Sequence, residues 1–223
     1  RDVPAADRGC GVIRILIVDD HPIVRRGFGS LLAAEPDLEV CGEAGDRAAA
    51  LALLATAAPD VALVDVSLGG TSGIDLIKEL KDRVAKLAVL VVSMHDQLLY
   101  ADRSLRAGAA GYVQKDEASE VIVRAIRIVA GGGMYVSDAV SSYLVQRWAT
   151  HGAPRDDSPL AGLSDRELHV LELMGRGLGT RAIAEQMHIS VKTVESYRAR
   201  LKEKMNLRSG TELVRFAVRW AEK

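Results

Sequence analysis

The chain has few cysteines, few aromatic residues and no long apolar run. Its two cysteines, Cys10 and Cys41, have no histidine at metal-ligand spacing, so we interpret them as free thiols in a reducing cytoplasm. Aromatic residues make up 4% of the sequence, which leaves little for the stacking platforms that bind single-stranded nucleic acid. No apolar run approaches the roughly 18–20 residues of a membrane-spanning helix, and no signal peptide is visible. We therefore expect a cytoplasmic protein without membrane insertion.

The formal net charge is also small, at −1 for 223 residues, but it is unevenly distributed. Residues 1–158 carry 17 basic and 22 acidic side chains, a net charge of −5, whereas residues 159–223 carry 12 and 8, a net charge of +4. The segment 150–162, THGAPRDDSPLAG, is rich in proline, glycine and charge, which is typical of an exposed linker. The charge split and the linker together predict an acidic domain followed by a basic one.

Short apolar runs alternate with helical patterns over roughly the first 130 residues. The expected strands are Ile13–Val18, Leu38–Cys41, Val61–Val64, Leu87–Val92 and Gly111–Val113. The expected helices are Ile23–Ala34, Arg47–Ala57, Ser72–Asp82, Leu98–Ala107 and Ala118–Ala130, the last of which is stopped by three glycines. Five strand–helix pairs predict an α/β fold with a doubly wound five-stranded parallel sheet, covered by helices on both faces.

Only helical patterns follow this region. One helix, Asp138–Trp148, precedes the exposed linker, and after it we expect Asp165–Gly175, Arg181–Met187, Val191–Met205 and Gly210–Arg219. Ser164 and Glu167 form a capping-box pattern, and Thr180 is the expected cap of the next helix. The second and third of these last helices, joined by a three-residue turn, match a helix-turn-helix. We assign a first domain to residues 12–131, a linker with a helix to 132–159, and an all-α domain of four helices to 160–223.

Five polar residues lie where the predicted strands end: Asp19, Asp20, Asp65, Ser93 and Lys115. In parallel sheets these ends meet at one edge, where ligands bind. Taken singly, each aspartate is more simply a turn former and the lysine a solvated surface group. Together, three carboxylates call for a hard cation such as Mg²⁺, and one of them can attack phosphorus while Lys115 and Ser93 bind the phosphate. The set predicts phosphoryl transfer onto an aspartate, and without a Gly-rich phosphate loop we expect no nucleotide site.

The segments RILIVDDHPIVRRGF, ALVDVSLGGTSGIDLI, VVSMHD and GAAGYVQKD resemble the receiver domain of bacterial two-component response regulators, over about residues 13–130. The resemblance implies a flavodoxin-like sheet with strand order 2-1-3-4-5. It implies that Asp65 is the phosphoacceptor. It further implies that Asp19, Asp20 and the backbone carbonyl of Ser67 hold Mg²⁺, or Mn²⁺, beside that acceptor.

The same resemblance assigns the groups that respond to the phosphate. Ser93 becomes the switch hydroxyl, Lys115 the phosphate-pairing lysine and Tyr112 the aromatic switch, although plain packing explains Tyr112 equally well. Two positions depart from the family pattern. Family members commonly have Met-Pro where this chain has Leu68-Gly69, and often proline after the lysine where it has Asp116. Glycine makes the loop less rigid, which bears on the lifetime of the phosphorylated state.

The helix that begins at Val191 opens a strongly basic segment. Between Val191 and Arg208 two acidic residues accompany six basic ones, namely Lys192, Arg198, Arg200, Lys202, Lys204 and Arg208. Such a helix is often only a solvated charged face, but the preceding short helix and turn favour one that lies in a DNA major groove. The segment LSDRELHVLELMGRGLGTRAIAEQMHISVKTVESYRARLKEKMNL resembles the LuxR-type DNA-binding domain. With the first domain, the whole chain resembles the NarL/FixJ subfamily of response regulators.

The LuxR-type resemblance implies which residues of this helix contact DNA. It places Glu195, Ser196 and Ala199 at base-facing positions. It assigns phosphate or groove contacts to a second set, namely Lys192, Thr193, Tyr197, Arg198 and Arg200. The family often has lysine and histidine where this chain has Glu195 and Tyr197. Because a glutamate can accept a hydrogen bond from a cytosine amino group, we expect an operator unlike those of better-known relatives.

We therefore expect a DNA-binding transcription regulator that a histidine kinase phosphorylates at Asp65, and that binds double-stranded promoter DNA as a homodimer when active. We expect no enzymatic activity beyond Mg²⁺-dependent self-phosphorylation and dephosphorylation. The last helix supplies either an apolar dimer face or simply core packing. Two alternatives stay open: a phosphatase or hydrolase that uses the acidic pocket, and a regulator whose DNA binding is independent of phosphorylation. The lack of a second catalytic base disfavours the first, and the complete pocket disfavours the second.

Overall fold

The structure is a computed structural model that describes residues 11–68, 71–94, 97–151, 160 and 162–221, with the backbone alone for 147–151. The chain divides into two compact units, one ending at Val145 and the other beginning at Gln146. Each unit has its own cluster of buried apolar side chains. In the described part of the chain, no helix is long and apolar enough to cross a membrane.

The first unit contains a five-stranded parallel sheet and a two-stranded hairpin. The strands are β1 (Ile13–Val18), β2 (Leu38–Ala44), β3 (Val61–Val64), β4 (Ser67–Leu68), β5 (Thr71–Ser72), β6 (Ala88–Ser93) and β7 (Gly111–Gln114). The sheet order is β2-β1-β3-β6-β7, which confirms the predicted order 2-1-3-4-5, and β4 pairs antiparallel with β5. The pairing of β1 with β2 shifts by one residue at Cys41. Beyond this shift β2 continues to Ala44, whereas its predicted end was Cys41.

The described residues of this unit contain the helices α1 (Pro22–Ala33), α2 (Arg47–Ala57), α3 (Gly73–Arg83), α4 (Gln97–Arg106) and α5 (Ser119–Ala130), and α6 (Asp138–His151) begins in it and runs past Val145. Local sequence explains several of their ends. Pro22 stands in the first turn of α1, where its missing N–H costs nothing, and the Asp46 carboxylate caps α2 by accepting the N–H of Ala49. Gly131 ends α5, as the run of glycines predicts.

The core lies on both faces of the sheet. Ile15 and Ile17 of β1 pack in one cluster with residues of α1 and α5, such as Leu32 and Ile126. Leu16 points to the opposite face, beside Gly42 and α2. Because the central strands are covered on both faces, β3 is buried at all four positions, as its continuous apolar run indicates.

In its described residues, the second unit has four helices after α6: α7 (Asp165–Gly175), α8 (Thr180–Gln186), α9 (Val191–Lys204) and α10 (Gly210–Ala221). Ser164 and Glu167 form the predicted capping box. The predicted cap at Thr180 is wrong, because α8 begins at Thr180 with Gly179 in the cap position. The Thr180 hydroxyl instead accepts a hydrogen bond from Arg198 Nη1 at 2.6 Å, a contact between helices that local sequence does not reveal.

Candidate functional site

The carboxyl ends of three strands bring Asp19, Asp65 and Lys115 together. Asp19 directly follows β1, Asp65 follows β3 and Lys115 follows β7. The Lys115 Nζ lies 2.5 Å from Asp19 Oδ2 and 2.9 Å from Asp65 Oδ2. The two carboxylate residues are 2% and 5% exposed, so their charges are screened little by water. These residues therefore form a buried charged pocket at the edge where the sequence predicts one.

The ammonium of Lys115 is held in its charged form by this pocket. Its burial lowers the pKa, but the charges of Asp65 and Asp19 and their hydrogen bonds outweigh burial, so the pKa lies above its ordinary value. The lysine thus acts as the internal counter-charge of the two aspartates.

A fourth group, His21, lies in the same place. One oxygen each from Asp19, Asp20 and Asp65 and a ring nitrogen of His21 lie within 4.8 Å of one another, close enough to hold one metal ion. The His21 N–H donates to Asp19 Oδ1 at 2.8 Å, and His21 Nδ1 lies 2.8 Å from Asp20 Oδ1. Carboxylate oxygens fit a hard cation such as Mg²⁺. His21 was not predicted from the sequence, although its position directly after the acidic pair was a signal.

Two further residues shape the backbone of the pocket, and sequence analysis missed both. Arg25 of α1 donates from Nη1 to the Asp19 carbonyl at 2.7 Å, which holds the end of β1 in place. Gly73, at the start of α3, lies against the chain beyond β3, where a Cβ would come within 1.9 Å of the Asp65 carbonyl oxygen. The Gly73 N–H donates to the carbonyl of Val66 at 2.7 Å, so this glycine anchors the chain that directly follows Asp65.

Ser93 lies on β6, the strand beside β3, and Tyr112 lies on β7, the edge strand beyond β6. Ser93 is fully buried at the end of β6, and its carbonyl accepts the N–H of Lys115 at 3.0 Å. Tyr112 is 1% exposed in β7, where it pairs with Val91 of β6. The predicted switch residues therefore share the β6–β7 ladder with the lysine of the pocket.

The two departures from the family pattern lie beside the pocket. Ser67 and Leu68 form β4, and Leu68 is fully buried. Gly69 lies outside the described residues. The described chain contains no cis peptide, so the Lys115–Asp116 peptide is trans.

In the second unit, α9 exposes most of the residues predicted to contact DNA. Five are exposed, namely Lys192, Glu195, Ser196, Ala199 and Arg200, and three are half-buried, namely Thr193, Tyr197 and Arg198. Val194 and Leu201 are fully buried and hold the helix to the core. The exposed residues form one face because they recur at helical spacing opposite the buried ones.

Two basic side chains of this segment bond to other residues of the second unit. Arg198 donates one of its five N–H groups to the Thr180 hydroxyl, and Lys204 Nζ lies 2.7 Å from Glu167 Oε2. Glu167 is 2% exposed. Burial raises the pKa of its carboxyl, but the hydrogen bonds from Lys204 and Ser164 outweigh burial, so this pKa lies below its ordinary value.

Comparison with known proteins covers both units. The family model for response regulator receiver domains matches residues 15–127, and that for bacterial regulatory proteins of the luxR family matches residues 161–217. The DNA-binding transcriptional activator DevR/DosR of Mycobacterium tuberculosis is 36% identical over 206 residues, 92% of this chain and 94% of that protein. The oxygen regulatory protein NreC of Staphylococcus carnosus is 34% identical over 211 residues, 93% and 97% of the two chains.

Solved structures agree with these matches. A LuxR-family two-component response regulator from Aurantimonas sp. SI85-9A1 has a TM-score of 0.59 at 30% identity, over 62% of this chain and 99% of that one. The RcsB response regulator of Salmonella typhimurium has a TM-score of 0.56 at 26% identity, over 92% and 98%.

An acidic pocket at the edge of a receiver-type sheet, followed by a helix-turn-helix unit, defines a DNA-binding two-component response regulator. Within that class, the pairing of a receiver domain with a LuxR-type DNA-binding domain is specific. The chain belongs to the NarL/FixJ family of response regulators.

Proposed function

We propose that this response regulator is switched by phosphorylation of Asp65, with the phosphoryl group supplied by a histidine kinase or a small phosphodonor. The observation that carries the proposal is the bonding of Lys115 to both Asp65 and Asp19 in a buried pocket. Because bacterial DNA is the ligand of the second domain, we propose that the protein acts in the cytoplasm. We assign residues 12–131 to the receiver, 132–159 to the linker and 160–223 to the DNA-binding domain.

The proposed reaction is a phosphoryl transfer to the Asp65 carboxylate. A carboxylate oxygen forms a bond to phosphorus while the bond between phosphorus and the donor breaks, and the donor group leaves with the electron pair of that bond. Asp19, Asp20, Asp65 and the carbonyl of Ser67 would hold Mg²⁺, or Mn²⁺, which supplies charge neutralisation when bound. The protein thereby acts only on itself, in self-phosphorylation and dephosphorylation, and turns over no separate substrate.

The phosphorylated aspartate carries close to two negative charges, which the pocket is suited to bind. Lys115 pairs with the new phosphate, and the Ser93 hydroxyl donates a hydrogen bond to it. Because Ser93 and Tyr112 lie on adjacent strands, movement of Ser93 reorients Tyr112 and changes the surface built by β6, α4, β7 and α5. We propose this change as the switch.

The proposed output is binding of double-stranded promoter DNA by α9. Its exposed face places Glu195, Ser196 and Ala199 towards base edges, and Lys192, Thr193, Tyr197, Arg198 and Arg200 towards phosphates and the groove wall. We propose that the active protein binds as a homodimer, because helix-turn-helix dimers match paired half-sites.

The decisive experiment is titration of a promoter fragment with the full chain, with and without Mg²⁺ and beryllofluoride, which mimics an aspartyl phosphate. We expect tighter binding with the mimic, and no such gain in Asp65→Asn, which cannot form the adduct. Equal affinities in both conditions for the wild type would reject the phosphorylation switch. Release of phosphate from an unrelated phosphate ester by the full chain would favour a hydrolase instead.

A further inference from the structure

The N-terminal half of α9 presents an exposed face on the side away from the core of the second unit. Val194 and Leu201 are fully buried and define the core side of the helix. At about 100° per residue, the exposed Glu195, Ser196 and Ala199 lie within about 100° of one another, opposite these two residues. We name Glu195, Ser196 and Ala199 the reading face. In a helix-turn-helix, this part of the second helix contacts base edges in the major groove.

The carboxylate of Glu195 is available to bind a ligand. Glu195 is exposed, and its side chain forms no hydrogen bond or ion pair with the residues that the structure describes. An ionised carboxylate accepts hydrogen bonds and donates none. At this position the reading face therefore offers only acceptor oxygens.

The hydroxyl of Ser196 is also restricted to accepting. Ser196 Oγ donates to the backbone carbonyl of Lys192 at 3.0 Å, within the same helix. Because a hydroxyl has a single proton, this bond leaves only the oxygen lone pairs for a ligand. Ala199 adds a methyl group and no polar side-chain atom. The three side chains of the reading face thus present acceptors and an apolar group to DNA, and no donor.

The major groove separates the four bases by this property. Cytosine N4 and adenine N6 are hydrogen-bond donors there, whereas guanine and thymine present only acceptors on their own edges. An acceptor placed against another acceptor leaves both without a bond and repels. Adenine also carries the acceptor N7 beside its amino group, which disfavours a carboxylate, whereas cytosine has no acceptor at that edge. Glu195 therefore favours cytosine, while Ser196 accepts from cytosine or adenine.

The negative charge of Glu195 strengthens this discrimination. Exposed cations of the same helix, such as Lys192 and Arg200, attract the phosphates of any sequence, whereas the carboxylate is repelled by them. Glu195 thus lowers the affinity for every sequence that offers it no amino group. A cytosine offsets the loss by donating a charge-assisted hydrogen bond. Such a penalty against the other bases increases specificity without increasing affinity.

We propose that this regulator selects operators with a cytosine opposite Glu195 and a cytosine or adenine opposite Ser196, an inference that rests on the proposed DNA binding by α9. Guanine and thymine are excluded at both positions, because they present acceptors to acceptors. Glu195 and Ser196 are thus specificity-determining residues, whereas the cations around them supply affinity for any duplex.

Selection of binding sites from a random double-stranded DNA library, by the full chain with Mg²⁺ and beryllofluoride, tests the proposal. We expect the wild-type motif to contain a cytosine that Glu195→Gln changes to adenine, because a glutamine amide pairs with adenine N6 and N7. Glu203→Gln is the control, since it removes the same charge from an exposed position about 12 Å further along α9. We expect this control to select the wild-type motif.

Affinities for the selected site measure the size of the effect. Replacing that cytosine by thymine should weaken binding of the wild type by about tenfold or more, because an amino donor becomes a carbonyl acceptor. The same replacement should weaken binding of Glu195→Gln by about threefold or less, because the amide can also donate to the thymine carbonyl. A purely structural role of Glu195 would change both affinities by one factor and leave their ratio unchanged.

The outcomes separate this proposal from the one on which it rests. Equal binding of the wild type to all sequences would overturn the proposed reading of promoter DNA by α9. A wild-type motif that persists in Glu195→Gln, or that changes at a position other than a cytosine, would overturn only the specificity assigned to Glu195. Ser196→Ala removes the second acceptor, and we expect it to relax selection beside the cytosine. Unchanged selection there would overturn the role of Ser196.

Discussion

At the scale of single residues, the chain that follows Asp65 depends on Gly73, where no side chain fits. Gly73 brings the first turn of α3 onto the backbone of Asp65 and Val66. A methyl group there has to displace either the helix or the loop, because backbone atoms cannot rotate away as a flexible side chain does.

We expect Gly73→Ala to lower the free energy of unfolding of the receiver by about 1–3 kcal/mol. We also expect slower labelling of Asp65 by acetyl phosphate, since the acceptor moves with its loop. Urea denaturation and intact-protein mass spectrometry measure the two effects. Gly27→Ala in α1 is the control, because a Cβ there meets no described atom within 4 Å. We expect that control to gain roughly 0.5–1 kcal/mol from helix propensity. Wild-type stability and labelling in Gly73→Ala would contradict the prediction.

We expect Glu167 to make the stability of the DNA-binding domain depend on pH. Its pKa in the folded state lies below its ordinary value, so the unfolded chain binds the proton more readily. The stability that Glu167 contributes is therefore present above its unfolded pKa and is lost as pH falls through its folded pKa. We expect the unfolding free energy of this domain to fall more steeply below about pH 4.5 in the wild type than in Glu167→Gln. Parallel pH profiles for the two proteins, measured by urea denaturation, would exclude this role.

At the scale of elements, the basic residues of α9 fall into two groups, those exposed to solvent and those bonded to other residues of the domain. Lys192 is exposed at the start of the helix, whereas Lys204 at its end is bonded within the domain. Only a cation that neutralises a DNA phosphate releases counterions, so only such a cation affects the salt dependence of binding.

We expect Lys192→Ala to weaken binding to all DNA sequences and to reduce the slope of log affinity against log salt by about 1. We expect Lys204→Met to leave that slope at the wild-type value. Fluorescence anisotropy over a salt series measures both. Equal slopes for Lys192→Ala and the wild type would remove Lys192 from the DNA contacts.

The elements also show which features local sequence can predict. Alternating apolar runs and helical periods suffice for the five sheet strands, whereas their order was implied only by the resemblance to receiver domains. The cap of α8 was mispredicted, since the Thr180 hydroxyl is taken by Arg198, a residue on another helix. The β-bridge formed by Tyr135 was not predicted, because a single paired residue leaves no repeating apolar pattern in the sequence.

The pocket shows the same division. Asp19, Asp65 and Lys115 were predictable because strand ends meet at one edge. The role of Arg25 was not predictable, because its side chain bonds to a backbone carbonyl. Every residue type has such a carbonyl, so the identity of the contacted residue carries no signal.

At the scale of the whole molecule, two separate cores predict two unfolding events. We expect calorimetry of the full chain to show two transitions. Mg²⁺ with beryllofluoride should raise only that of the receiver, because a ligand stabilises the domain that binds it, by about 2.7 kcal/mol at a hundredfold excess over Kd. Asp65→Asn should show no such rise. A single transition, or an equal rise in both, would contradict independent folding of the two domains.

The charge distribution acquires a physical meaning at this scale. A net charge of −1 averages an acidic phosphate-receiving domain with a basic DNA-reading domain. Net charge therefore describes neither domain, and its near-zero value carries no information about binding to DNA.

The bond between the Lys115 amide and the Ser93 carbonyl has a consequence for signal quality. The two residues that we propose bind the phosphoryl group are joined by this backbone hydrogen bond, so we expect the ends of β6 and β7 to move together. We expect an ion that contacts only one of these residues for a short time to leave the hydrogen-bonded pair in place. A phosphoryl group bound covalently to Asp65 would instead displace both residues. We therefore expect the receiver to respond to a stable phosphoryl group on Asp65 and not to ions that bind only transiently.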